Sequence, residues 1–226
     1  MHWGGIVKTT TLDFPEHLAC VLFCKGCNLR CPWCHNARLI PVGPGVLSES
    51  EVLDFLKKRQ KVLNGVVVSG GEPTLDATLP HFLRQVKNLG YQVKLDTNGL
   101  RPKVLHELIT NQLVDYIALD VKGLPEDYPR IAGMNIDPQQ LLESIELVRQ
   151  IPHEYRLTVV PHLHSKLDTA RYGLLIGEGP LYLQGFRSGV GVMDGAYANM
   201  PDCTPEFLHQ LTGDLQQVIK GRVQAR

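Results

Sequence analysis

Short β-branched runs alternate with stretches of helical spacing along almost the whole chain. "LACVLF" (18–23), "GVVVS" (65–69), "YQVKLD" (91–96), "DYIALD" (115–120), "YRLTVV" (155–160) and "LYLQ" (181–184) read as strands. Between them, Ser48 and Glu51 have capping-box spacing ahead of Val52, Leu53, Phe55 and Leu56. Leu79, Phe82, Leu83 and Val86 mark one apolar helix face, and Val104, Leu105, Leu108 and Ile109 follow Pro102 in a further helix. Asp137 before Pro138 starts the helix of Leu141, Leu142, Ile145 and Val148. Another helix falls within 166–177, its end blurred by glycines. Thr204 before Pro205 opens a C-terminal helix over about 204–220.

Six strand–helix units predict an α/β fold with a parallel sheet and crossover helices. Six units rather than eight predict a partial (βα)6 barrel, open on one side, in a single core domain over 1–226. A flat doubly wound sheet is the alternative. The longest irregular stretch, 24–47, holds most of the cysteines and a "PVGPG" turn cluster.

Composition changes this picture little. The 226 residues are 43% apolar with zero formal net charge, which gives no warrant for a nucleic-acid or anionic-membrane partner. The N-terminal stretch lacks the pattern of a secretory signal, and no apolar run is long enough to span a membrane. The expected compartment is the cytoplasm. Thiols stay reduced there, and clustered cysteines are for metal or catalysis rather than disulfides.

Four of the six cysteines, Cys24, Cys27, Cys31 and Cys34, crowd into "FCKGCNLRCPWCHN" (23–36). Zinc modules usually separate two C-x-x-C pairs by a dozen or more residues, and here three intervene. An iron–sulfur cluster tolerates such close thiolates. Either all four ligate it, as in an electron carrier, or three do and one iron stays open. Alternation along "ACVLFC" puts Cys20, Leu22 and Cys24 on one side. Cys24 then ends the strand and Gly26 turns the chain, leaving a C-x3-C-x2-C set. Alternation alone does not decide between the two.

Polar motifs stand at the other strand ends, where parallel barrels keep their chemistry. They are "SGGEP" with Gly71 and Glu72, "DTNG" with Asp96, Thr97 and Asn98, "DVKG" with Asp120 and Lys122, and Arg156 in the fifth strand. His162 and His164 read as a surface pair in a loop, Cys20 as a small buried residue, and Cys203 stands alone.

"CNLRCPWCHN" resembles the cluster loop of the radical S-adenosylmethionine superfamily, and in particular that of its glycyl-radical-enzyme activases. The other motifs arrive in that family's order. The resemblance implies that Cys27, Cys31 and Cys34 hold a [4Fe–4S] cluster whose fourth iron binds S-adenosylmethionine. It implies reductive cleavage to methionine and a 5′-deoxyadenosyl radical, with Lys122 joining the cysteines in the catalytic set. It places Trp33 and His35 beside the adenine and Gly71 and Glu72 at the amino group. Asp96, Asn98, Asp120 and Lys122 join the pocket, with Arg156 near the methionine carboxylate. A monovalent cation at Asp96, Thr97 and Asp120 is also implied. The ribose-contacting histidine of the pyruvate formate-lyase activase has no counterpart; Gln184 or Phe186 stands there instead.

No cysteine lies between 35 and 202 and only Cys203 follows, which leaves no room for a second cluster. The likeness is then greatest to the short activating proteins of anaerobic ribonucleoside-triphosphate reductase. It implies a glycyl radical enzyme as protein substrate and a flavodoxin or ferredoxin as electron donor. The rivals are a small-molecule radical enzyme of the 7-carboxy-7-deazaguanine synthase kind and a non-catalytic carrier with Cys24 as fourth ligand.

Overall fold

The computed structural model describes all residues, 1–226. It is mixed α/β, with a parallel-strand sheet that is open rather than closed. Its residues group into two compact units.

The first unit comprises Met1–Asn28, Arg38–Thr97 and Arg101–Ala118. It holds β1 (Trp3–Thr10), β2 (Ala19–Cys24), α1 (Glu49–Arg59), β3 (Gly65–Gly70), α2 (Leu79–Asn88), β4 (Gln92–Thr97), α3 (Pro102–Thr110) and the start of β5 (Tyr116–Asp120). β1 pairs antiparallel with β2, whereas β2, β3 and β4 run parallel. The register sets Cys24 opposite Gly70, so β2 and β3 end level with each other.

Local sequence explains these elements. Ser48 and Glu51 form the complete capping box of α1. The stripe Leu79, Phe82, Leu83, Val86 of α2 is fully buried. On one face of the sheet Phe14, Ala19, Val21 and Val67 pack with Phe23 and Tyr116, each large side chain contributing about 1.5–3 kcal/mol by burial. Lys94 sits opposite Val67 and is also buried. Its ammonium donates to the Asp13 carbonyl at 2.6 Å, satisfying a charge that would otherwise oppose folding.

The second unit comprises Leu29–Ala37, Asn98–Leu100 and Leu119–Arg226. After the end of β5 come α4 (Tyr128–Ile131), α5 (Pro138–Val148), β6 (His153–Val159), α6 (Pro161–His164), α7 (Thr169–Ile176), β7 (Leu181–Gly185), α8 (Gly195–Ala198), α9 (Pro205–Gln216) and β8 (Val223–Ala225). β6, β7 and β8 are parallel. Val159 lies opposite Gly185, so the chain leaves β6 and β7 side by side. Asp168 caps α7 by accepting from Arg171 N–H at 3.0 Å, and Gly177 (φ +69°) ends it.

Several expectations need correction. β1 and β8 were not predicted: "WGGIVKTT", an edge strand buried only at Trp3, lacks apolar alternation, and β8 is three residues long. The last helix stops at Gln216, short of 220, where the Gln216 side chain donates to the Ile219 and Gly221 carbonyls and turns the chain into β8. His164 is not a surface residue; it is 1% exposed.

Candidate functional site

The cysteine segment starts where β2 ends. Cys24 is the last strand residue, buried in the ladder beside Gly70. Gly26 takes φ +96°, as the turn requires. Its N–H donates to Leu39 O at 2.7 Å and that of Cys27 to Ile40 O at 3.1 Å. The outgoing chain, with the first thiol of the C-x3-C-x2-C set, is thus braced against the returning end of its own loop.

The second half of the segment is fixed within the second unit. Arg30 N–H donates to Ala132 O (2.9 Å), and the Trp33 indole N–H to Ile131 O (3.0 Å), which anchors the ring on α4. Cys34 N–H closes a turn on Cys31 O (3.0 Å). Met193 N–H then donates to Cys34 O at 3.0 Å and Asp194 N–H to Pro32 O at 2.9 Å. The Pro32 and Cys34 carbonyls are thus held from outside the loop.

None of the six cysteines forms a disulfide. Burial pushes the Cys20 thiol up to about 12. Burial, and then the Glu72 carboxylate, do the same to Cys24, and burial also raises Cys203. Cys20 and Cys24 are buried in β2, and Cys203 lies far along the chain before α9. Cys27, Cys31 and Cys34 are the other three free thiols, and thiolate sulfur is the donor type that iron–sulfur clusters take.

The "SGGEP" segment fastens to the cysteine segment's entry. Gly71 N–H donates to Cys24 O (3.0 Å) and Glu72 N–H to Gly26 O (2.7 Å). A Cβ on Gly71 would run into the Gly26 carbonyl, and one on Gly70 (φ +119°) would strike the Cys24 backbone. Both positions must therefore be glycine. The Glu72 carboxylate is buried and accepts from Thr74 N–H (3.1 Å), Thr74 Oγ1 (2.5 Å) and Thr97 Oγ1 (2.7 Å). Its side chain organises the turn. Asp96 sits at the end of β4 with the Lys94 ammonium 3.7 Å away.

In the second unit Asn98 Oδ1 accepts from Leu100 N–H (3.1 Å) and Gly99 O from Ser144 Oγ (2.5 Å). At the end of β5, Asp120 accepts from Arg156 Nε at 2.8 Å and faces Lys122 Nζ at 3.5 Å. Burial works against the Asp120 charge. The Arg156 guanidinium and the Lys122 ammonium outweigh it and hold the carboxyl below its ordinary range. The Lys122 ammonium also lies 5.1 Å from the Trp33 ring centroid. Trp33, Lys122, Asp120 and Arg156 thus form one connected line. His35 packs on Phe186, ring centroids 5.8 Å apart.

Tyr172, Tyr128 and His164, none of them read as a site residue in the sequence, hold the backbone of Val121 and Lys122. Tyr172 Oη donates to Val121 O (2.8 Å), Tyr128 Oη accepts from Lys122 N–H (3.3 Å), and His164 Nε2 bonds Lys122 O (3.0 Å). His164 Nδ1 accepts from Val160 N–H at 2.9 Å.

Residues 21–167 match the Radical SAM superfamily model. A protein of Methanocaldococcus jannaschii, provisionally named a glycyl-radical enzyme activating enzyme, is 34% identical over 79% of this chain and 77% of its own. The 7-carboxy-7-deazaguanine synthase of Methanopyrus kandleri is 26% identical over 71% of this chain and 70% of its own. Among solved structures, Streptococcus suis SuiB bound to S-adenosylmethionine matches 91% of this chain and 51% of its own, with TM-score 0.63 and 13% identity. A domain of pyruvate-formate lyase-activating enzyme from Bacteroides vulgatus matches 71% of this chain and 98% of its own, with TM-score 0.55 and 16% identity. At such identities the structures speak for the fold alone.

Proposed function

Because the chain belongs to the radical SAM superfamily, we propose that it is a glycyl-radical-enzyme activase working as a single core domain over 1–226. The observation that carries this is the likeness to the Methanocaldococcus jannaschii protein, which extends over most of both chains. In this reading Cys27, Cys31 and Cys34 hold the [4Fe–4S] cluster. When bound, the cluster supplies one electron for cleaving S-adenosylmethionine to methionine and a 5′-deoxyadenosyl radical, which takes hydrogen from a glycine Cα of the partner protein.

The chain's own residues bind and orient. The backbone of Gly71 and Glu72 presents carbonyls to the ammonium of S-adenosylmethionine, with no Cβ to keep it away. Lys122, steadied between the Trp33 ring and Asp120, presents a cation to the pocket. Arg156 serves the methionine carboxylate while sharing Asp120. Asp96 and Asn98 also serve S-adenosylmethionine in this reading, and His35 with Phe186 walls off water near the adenine. The monovalent cation at Asp96, Thr97 and Asp120 has less support, since Asp96 already faces the Lys94 ammonium. The protein substrate in this reading is an anaerobic ribonucleoside-triphosphate reductase, and the electron donor a flavodoxin or ferredoxin.

A carrier using Cys24 as fourth ligand is disfavoured by the buried, high-pKa thiol inside the strand ladder. Iron and sulfide analysis of anaerobically purified Cys24→Ala should give wild-type loading, whereas Cys31→Ala should lose it. Incubation with the reductase, reductant and S-adenosylmethionine should produce a glycine-centred paramagnetic signal. Its absence, with turnover of a small deazapurine precursor instead, would move the protein to the synthase class.

A further inference from the structure

A single turn of helix in the second unit touches both the cysteine segment and the strand exit that carries Lys122. It is α4, in "YPRIAG" (128–133). Pro129 falls in its first turn, where a missing N–H costs nothing, and Gly133 (φ +65°) ends it. A helix this short has no stability of its own, so its neighbours hold it in place. The Ala132 N–H closes the turn on Tyr128 O at 2.7 Å. A Cβ on Gly133 would lie 2.6 Å from the Arg30 carbonyl oxygen, so glycine lets the turn lie directly on the cysteine segment.

The end of the turn meets that segment on both sides of Cys31. Arg30 N–H donates to Ala132 O and the Trp33 indole N–H to Ile131 O, at 2.9 and 3.0 Å. The start of the turn meets Lys122, whose N–H donates to Tyr128 Oη at 3.3 Å. The Lys122 ammonium in turn lies 5.1 Å from the Trp33 ring centroid. These contacts close a ring: from the Lys122 side chain to Trp33, through Ile131 to Tyr128, and back to the Lys122 main chain. Tyr128 and Ile131 are buried, so close packing surrounds them. Tyr172 and His164 fix the Val121 and Lys122 carbonyls, whereas Tyr128 joins this backbone to the cysteine segment through α4.

We propose that Tyr128 is a positioning residue for Lys122, setting its ammonium in register with the segment that carries Cys31 and Trp33. The assignment rests on the reading in which Lys122 serves S-adenosylmethionine, and deepens it by naming what aims that cation. A lysine carries its charge on a flexible four-carbon stem. Such a charge orients a ligand only when its root is fixed relative to the other groups that hold the same ligand. At 3.3 Å the bond between Tyr128 and Lys122 is long, and its contribution is direction. In this role Tyr128 acts through Lys122 and needs no contact with the ligand itself.

The test is a double-mutant cycle of Tyr128→Phe with Lys122→Met, on the full chain purified anaerobically and reconstituted with iron and sulfide. Each form is checked for folding by thermal melt and for iron content. Its affinity for S-adenosylmethionine is then read by equilibrium dialysis without reductant. Tyr128→Phe keeps the buried ring and should keep wild-type iron, while weakening S-adenosylmethionine binding at least threefold. In the Lys122→Met background the same change should move the affinity less than 1.5-fold, because the cation it aims is gone. An equal loss in both backgrounds makes Tyr128 a general support of the fold and overturns the proposal. So does unchanged affinity in Tyr128→Phe or in Lys122→Met, or loss of iron or of the cooperative melt in Tyr128→Phe. No protein substrate enters the cycle, so it fails separately from the activase reading. A glycine-centred signal on the reductase with a failed cycle sinks the role of Tyr128 alone. A cycle that holds without that signal keeps Tyr128 and sinks the activase reading.

Discussion

The hydroxyl of Thr97 donates to the Glu72 carboxylate at 2.7 Å, joining the end of β4 to the turn after β3. Both side chains are buried. Thr97→Val keeps the shape but removes a donor from a buried anion, which costs about 1–3 kcal/mol. The denaturant midpoint should fall accordingly, and Thr97→Ser should restore most of it.

Gly71 and Gly213 make a contrasting pair. Gly71→Ala forces a methyl into the Gly26 carbonyl, and nothing in the backbone there can give way cheaply. Iron content after anaerobic reconstitution should drop several-fold, because the cysteine segment's entry is displaced. Gly213 lies in α9 with open space around its Cα. Gly213→Ala should raise stability by about 1 kcal/mol through helix propensity and leave iron content alone.

Lys122→Met preserves the bulk over the Trp33 ring but removes the charge that Asp120 faces. Iron loading should stay at the wild-type level, while S-adenosylmethionine cleavage falls at least tenfold. Loss of iron as well would mean that Lys122 supports the fold rather than the pocket.

His164 gives a pH dependence. Burial holds its imidazole below the ordinary 6.5, outweighing its bonds to Lys122 and Val160; Arg130 lowers it further and Asp127 opposes. The unfolded chain therefore takes up a proton near pH 6.5 that the folded chain refuses, and stability rises with pH through that window. Melting temperature should decline as pH falls from 7 toward 5.5, and less steeply in His164→Asn. A parallel decline in both would remove His164 as the cause.

Much of this was legible in the sequence because it is written locally. The capping box at Ser48 and Glu51, the α2 stripe and the Asp137–Pro138 start each depend on residues within a turn or two, and each formed as read. Alternation also placed Cys24 inside the strand. The edge strand β1 escaped because exposure removes the apolar pattern that strand reading relies on. Tyr128, Tyr172 and His164 escaped for a different reason. They hold Val121 and Lys122 through backbone atoms, and Tyr172 and His164 do so from far along the chain, so no spacing or residue type announces them.

The clamp of Met193 and Asp194 on Cys34 and Pro32 has a temporal consequence. During translation the thiols at 27–34 leave the ribosome long before the segment that secures them has been made. The nascent chain thus offers only a loose group of sulfurs, open to oxidation and to stray metals. The anchoring of this segment therefore waits for the C-terminal third of the chain. A chain interrupted before residue 189 should load iron poorly even though Cys27, Cys31 and Cys34 are all present.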